Sequence, residues 1–382
     1  MSANAPIQEA ELLDRAIAWL RQTLPDNWTV ERSTAQYSMP GSAEPYRPDS
    51  MLEIQGPNGN VAFLVEAKNS FSPRDAERLL PGVAKPLRRM SNTPLLVVSN
   101  WLSARTRELL REQDVNYLDL TGNADIRTNF PAIFLSHSGA SRNPAPAERE
   151  RAGLRGAKAG RLIRTLLDVP APYSVRELAL LTGLTPGYVS RLLSALEYEA
   201  LVDRSRTGGV TSVARAPLLR RWVETYDVLK SNEPTRLLAP HGPLGAFNEI
   251  GALHDNSWMV VTGSFAAVQA ASVSAPELLM AYVRDPGPVS AELNLLPTRE
   301  GANVVLLRPY DEVVWERTTE SDGVRFAAFS QVAADLLTGP GRMPEEGAAL
   351  VEWLEDGEGD RWSSGSRAAI EIGGGTTGNG FA

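Results

Sequence analysis

The stretch SVRELALLTGLTPGYVSRLLSALEYEALVDRSRTGGV, Ser174 to Val210, decides how the rest of the chain is read. Ser174 followed three residues later by Glu177 is a capping box, which predicts a helix start. Val175, Leu178, Ala179 and Leu181 share one face of that helix, and Gly183 ends it in a tight turn. Thr185 offers a second N-cap, with Pro186 at the first helical position, where a missing N–H costs nothing. In the second helix Val189, Leu192, Leu193 and Leu196 form the buried stripe. Tyr188, Ser190, Arg191 and Ser194 are left facing outwards. After Leu201 and Val202 the segment DRSRTGGV sets Arg204 and Arg206 ahead of a Gly-Gly turn.

Helix, short turn, helix and basic hairpin are the outline of a winged helix-turn-helix. Its second helix lies in the DNA major groove with early residues on base edges. Over about fifty residues the pattern resembles the winged helices of MarR-type and IclR-type bacterial regulators. The resemblance implies double-stranded DNA as partner, with Thr185, Tyr188, Ser190, Arg191 and Ser194 on the reading helix. Arg204 and Arg206 in the wing are expected to reach phosphates or the minor groove. Just upstream, RERAGLRGAKAGRLIRTLLD begins basic and becomes amphipathic, so Leu162, Ile163, Leu166 and Leu167 are expected to pack inside. Arg149, Arg151, Arg155 and Lys158 are placed to track the DNA backbone.

Charge supports that placement. The 382 residues carry a net charge of −8, which is unusual for a DNA-binding protein until it is divided along the chain. Residues 142–230 hold 15 basic and 9 acidic side chains, whereas residues 231–382 hold 9 and 21. Positive charge is therefore concentrated where phosphate neutralisation needs it. With no cysteine, disulfides, thiol catalysis and zinc fingers are excluded together, and the three histidines are not paired at ligand spacing. No window of eighteen apolar residues predicts a membrane helix. The N-terminus is acidic and amphipathic, unlike a signal peptide. A cytoplasmic, nucleoid-associated bacterial protein is the expectation.

The first 139 residues read as a separate domain. After a helix over Glu9–Leu24 comes RPDSMLEIQGPNGNVAFLVEAKNSFS, with strands expected at Met51–Gln55 and Val61–Lys68 around a hairpin turn. Glu66 and Lys68, two apart on a strand, emerge on one face, and the hairpin brings Asp49 to the same end. Two carboxylates so placed offer the hard oxygen ligands that Mg²⁺ prefers, and a neighbouring lysine can orient the metal-bound water. Pro48-Asp49 followed by Glu66-Ala67-Lys68 resembles the PD-(D/E)xK nuclease superfamily. The resemblance implies Asp49, Glu66 and the Ala67 carbonyl as Mg²⁺ ligands and Lys68 as the catalytic lysine, with Glu11 as an extra acid. A helix over Pro73–Arg89, a strand over Pro94–Val98, a helix over Ser103–Gln113 and a strand over Asn116–Leu120 continue the α/β alternation. The segment Asn116–Ala124, NYLDLTGNA, resembles the end of restriction-endonuclease-like domains in actinobacterial proteins.

Residues 140–150 read as a linker, 151–230 as the winged domain, 231–355 as a further domain and 356–382 as a Gly-rich disordered tail. In the third domain a strand enters the Gly263-Ser264 turn, strands follow at Met280–Val283 and Ala302–Leu307, and a helix runs over Ser330–Leu337. Strand, Gly-Ser turn, helix and the closing DLLTGPGR resemble the C-terminal domain of AbiEi-type antitoxins, which implies a nucleotidyltransferase-like fold. That fold places two aspartates one residue apart on the strand after the turn; only Asp285 stands there, so this domain is expected to be non-catalytic.

The fold class read from the whole is an α/β multidomain protein: a restriction-endonuclease-like α/β/α domain, a winged helix-turn-helix and an α+β nucleotidyltransferase-like domain. Two functions follow. One is a DNA-binding transcriptional regulator or antitoxin-like repressor, with a homodimer expected from how winged helices meet paired half-sites and a toxin-like protein as partner of the C-terminal domain. The other is a Mg²⁺-dependent DNA endonuclease of a defence or mobile-element system, cutting with Asp49, Glu66 and Lys68.

Overall fold

A computed structural model describes residues 9–33, 48–79, 93–145, 154–253, 258–268, 270, 275–356 and 360–363. The second half of the helix expected over Pro73–Arg89, Arg149 and Arg151, the end of the linker and most of the tail lie outside these residues. The chain divides into two compact units, Met1–Arg151 with Ala195–Ala200, and Ala152–Ser194 with Leu201–Ala382.

The first unit is built on a seven-stranded sheet in sequence order, β1 (Thr29–Ser33), β2 (Ser50–Gly56), β3 (Gly59–Lys68), β4 (Leu95–Ser99), β5 (Asn116–Asp119), β6 (Ala124–Asn129) and β7 (Ala132–His137). Strands β3, β4 and β5 run parallel, and antiparallel pairs flank them on both sides. Parallel strands must be covered on both faces, which is why VAFLVEA and LLVV read as continuous apolar runs. Leu12, Ile17 and Leu20 of α1 (Glu9–Thr23) pack on Phe63, Val65, Ala67 and Val98 on one face. On the other face, Leu79 of α2 (Pro73–Leu79) and Leu109 and Leu110 of α3 (Ala104–Glu112) pack with Leu64, Leu95 and Val97. The layers are therefore α/β/α. Strands β1, β6 and β7 were not foreseen. TVERS buries only Val30, so no apolar alternation marks it in the sequence.

The NYLDLTGNA segment is a hydrogen-bonded knot. The buried Asp119 carboxylate accepts from the backbone N–H groups of Leu102 (2.9 Å), Thr121 (2.9 Å) and Asn123 (3.0 Å) and from the Thr121 hydroxyl (2.6 Å). Such saturation offsets the cost of burying a carboxylate.

In the second unit α4 (Ala157–Asp168), α5 (Val175–Thr182) and α6 (Pro186–Tyr198, of which residues 195–198 are grouped with the first unit) precede a two-stranded wing, β8 (Val202–Arg204) and β9 (Val210–Val213). Leu162, Ile163, Leu166 and Leu167 of α4 are all fully buried, as the sequence predicts. Two helices, α7 (Arg215–Val223) and α8 (Val228–Ser231), lead into a mixed seven-stranded sheet. Its strands are β10 (Glu233–Leu238), β11 (Met259–Thr262), β12 (Leu279–Val283), β13 (Leu296–Pro297), β14 (Val304–Arg308), β15 (Thr319–Ser321) and β16 (Val324–Phe326). Their spatial order is β13-β10-β14-β12-β11-β16-β15. The accompanying helices are α9 (Gly242–Ala252), α10 (Ser264–Ala267), α11 (Pro286–Glu292), α12 (Phe329–Leu337) and α13 (Met343–Glu355).

The expected boundary between residues 230 and 231 falls inside this unit, and buried polar groups bridge it. Asp168, at the end of α4, is fully buried and accepts from Arg164 (3.0 Å), from Arg317 (2.9 Å) and from the Ser330 hydroxyl. Arg164 also donates to Gln331 (2.8 Å), and Arg161 pairs with Asp311 (2.8 Å). The Tyr226 hydroxyl donates to Asp335 (2.7 Å), which also accepts from Thr262 (2.6 Å), Tyr282 (2.8 Å) and Gln331 (2.8 Å).

Candidate nucleic-acid interface

The helix pair forms as its caps dictate. The Ser174 hydroxyl accepts the Glu177 N–H (3.2 Å), and the Glu177 carboxylate accepts the Ser174 N–H (2.7 Å), closing the capping box. Gly183 takes the left-handed conformation (φ 63°) that ends α5 and turns the chain. Thr185 caps α6, its carbonyl accepting Val189 N–H (3.1 Å) and its hydroxyl lying 3.4 Å from the Tyr188 nitrogen. Val189, Leu192, Leu193 and Leu196 are buried as predicted.

The opposite face carries the candidate contacts. Thr185, Arg191 and Ser194 are exposed, and Tyr188 and Ser190 are half-buried. The Arg191 guanidinium lies 5.8 Å from the Tyr188 ring centroid, a cation–π distance that holds both side chains together on the first two turns. Partial burial pushes the Tyr188 phenol above its ordinary range, with Arg191 acting in the opposite direction, so the ring presents a neutral hydroxyl. Ser194 donates to the Ser190 carbonyl (3.0 Å).

The wing is closed by Ser205 N–H to the Gly209 carbonyl (2.8 Å) and by Gly208 N–H to the Ser205 carbonyl (2.9 Å). Val210 also pairs with Tyr173, which ties the wing to the loop before α5 and was not foreseen. Arg206 is exposed at the wing turn, and Arg204 is half-buried. Arg155 and Lys158 are exposed at the start of α4.

The model of the IclR helix-turn-helix domain matches residues 157–206. Those residues form an IclR-type helix-turn-helix domain. The match covers α4 to α6 and the first strand of the wing, and it supports a DNA-binding transcriptional regulator. No curated protein and no solved structure matches the chain. Among the described residues no helix is long and apolar enough to cross a membrane.

The expected nuclease residues lie at one end of the first sheet. Because Ser50 pairs with Val65, Asp49 comes opposite Glu66. The Asp49 carboxylate accepts the Ala67 N–H (2.8 Å), so this side chain extends the hairpin ladder by one step. Asp49 and Lys68 are exposed, Glu66 is half-buried and Ala67 is buried. Lys68 pairs with Asp75 (2.5 Å), a partner that sequence spacing did not reveal. Asp75 also accepts from Ser72 N–H (2.8 Å) at the start of α2. Burial alone would raise the Asp75 carboxyl, but Lys68 and Ser72 outweigh it and hold it below the usual carboxylate range.

In this structure two of these groups are engaged within the protein. One carboxylate serves the backbone, the lysine faces Asp75, and the described residues contain no group of three His, Cys, Asp or Glu side chains able to hold a metal.

In the C-terminal sheet Gly263 adopts φ 66° at the turn between β11 and α10, and Ser264 is buried. Asp285 caps α11, its carboxylate accepting the Gly287 N–H (3.0 Å).

Proposed function

We propose that the protein is a transcriptional regulator that reads duplex DNA through the first two turns of α6. The observation that carries this reading is the Tyr188–Arg191 pair, held on the solvent face of a helix within the matched IclR-type domain. An arginine there can take guanine O6 and N7 bidentately, and a tyrosine edge can meet a neighbouring base. Arg155 and Lys158 at the start of α4, with Arg206 on the wing, supply phosphate contacts that set position.

Two copies meeting paired half-sites, in the cytoplasm at the nucleoid, complete this reading. The C-terminal sheet serves as the module that binds an effector or a protein partner, as in an antitoxin-like repressor.

The test is a native-gel retardation assay on supercoiled plasmid and linear duplex, with Mg²⁺ and with chelator, beside the Lys68→Ala variant. A retarded complex with intact DNA, the same for wild type and variant, is expected. Metal-dependent cutting that the variant loses would replace this reading with the endonuclease one.

A further inference from the structure

The wing carries two arginines two positions apart whose surroundings differ. Arg206 is exposed at the turn. Arg204 is folded back over the wing: its Nε donates to the Gly208 carbonyl (2.9 Å) and its Nη1 to the Ser194 hydroxyl on α6 (3.0 Å). The register of β8 and β9 slips between Asp203 and Arg204, so that Arg204 pairs with Val210. A bulge of this kind re-aims the side chain that follows it. Gly208 leaves room for the arrangement, since a Cβ there would stand 3.1 Å from Nη2 at a backbone φ of 87°.

A guanidinium recognises phosphate by offering a planar fork of N–H donors. In Arg204 the Nε donor and one terminal nitrogen are already engaged within the protein. The Ser194 hydroxyl has a single proton and donates it to the Ser190 carbonyl, so it meets Arg204 as an acceptor and has no second donor for a base.

We propose that Arg204 is a positioning residue, a brace that fixes the wing against the recognition helix. Within the first two turns of α6 and the wing, contact with DNA then falls to Thr185, Tyr188, Arg191 and Arg206, beside Arg155 and Lys158 at the start of α4. This inference rests on the reading of α6 as the DNA helix. It reassigns Arg204 and Ser194 from contact to support.

The experiment uses the full chain and two fluorescent duplexes: one recovered by in vitro selection on the wild-type protein and one scrambled from it. Affinity is measured across a salt series for Arg204→Gln, Ser194→Ala, their double variant and Arg206→Gln. Arg206→Gln is expected to weaken both duplexes alike and to reduce the salt slope by about one. Arg204→Gln is expected to weaken the selected duplex by about tenfold, the worth of a charge-assisted hydrogen bond, at an unchanged slope.

Ser194→Ala, which leaves the wing charge intact, should reproduce that loss, and the double variant should lose no more than either single one. A slope reduced by about one in Arg204→Gln on both duplexes, or losses that multiply in the double variant, would overturn the brace alone. Wild-type protein that binds neither duplex would overturn the DNA reading and the brace with it.

Discussion

Asp335 shows how one side chain is held in the second unit. It is fully buried and accepts from Thr262, Tyr226, Gln331 and Tyr282, groups that come from β11, β12, α12 and the chain just before α8. Burial pushes its carboxyl above the ordinary value of 3.8, and the four donors only partly oppose that. The unfolded chain therefore releases this proton at lower pH than the native state does, and the contribution to stability falls as pH rises from about 4 through the raised value. Asp335→Asn has no proton to lose. Its stability deficit against wild type, measured by urea unfolding across that range, should shrink as pH rises. A deficit independent of pH would mean that Asp335 does not titrate differently in the two states. At this scale the sequence was partly informative. The spacing of Glu66 and Lys68 showed that they share a face, but only three-dimensional placement shows Lys68 drawn to Asp75 at the start of α2.

Elements were most legible where local chemistry and the apolar period agreed. The Ser174–Glu177 box, Gly183, Thr185 and Pro186 mark the ends of α5 and α6 without any tertiary information. Ser174→Ala is expected to cost about 0.5–2 kcal/mol of stability by removing the cap, which thermal unfolding can check. Leu193→Ala, at a fully buried position in α6, should cost about 2–5 kcal/mol. A loss under about 0.5 kcal/mol for Leu193→Ala would contradict the packing of that helix. Strands β1, β6 and β7 were illegible for a physical reason: they lie at the outer parts of the sheet, where one residue in two or fewer is buried and charged side chains such as Glu31 and Arg127 are tolerated. The Tyr173–Val210 bridge was equally hidden, because 37 residues separate its two ends. The bulge that turns Arg204 inwards has no local signal beyond the glycines that follow it.

For the whole molecule the boundary after residue 230, sensible from composition, crosses a unit in which the helix-turn-helix and the C-terminal sheet share buried charge. Asp168 stands between Arg164 and Arg317, and removing it would leave two guanidinium groups without their common carboxylate. Asp168→Ala is expected to destabilise this unit by about 3–5 kcal/mol, seen as a lower midpoint of denaturant unfolding. An unchanged midpoint would show that the pair contributes little. Along the chain the basic excess of residues 142–230 is distinct from the acidic excess of residues 231–382, so a net charge of −8 does not count against a helix-turn-helix that carries positive charge.

The central claim is that the first turns of α6 read DNA, and Arg191→Ala tests it most directly. Fluorescence anisotropy with a duplex selected by the wild-type protein should show a loss of about 1–3 kcal/mol in binding together with relaxed preference at one base pair. Binding of Arg191→Ala equal to wild type in both affinity and preference would contradict the assignment of α6 as the recognition helix.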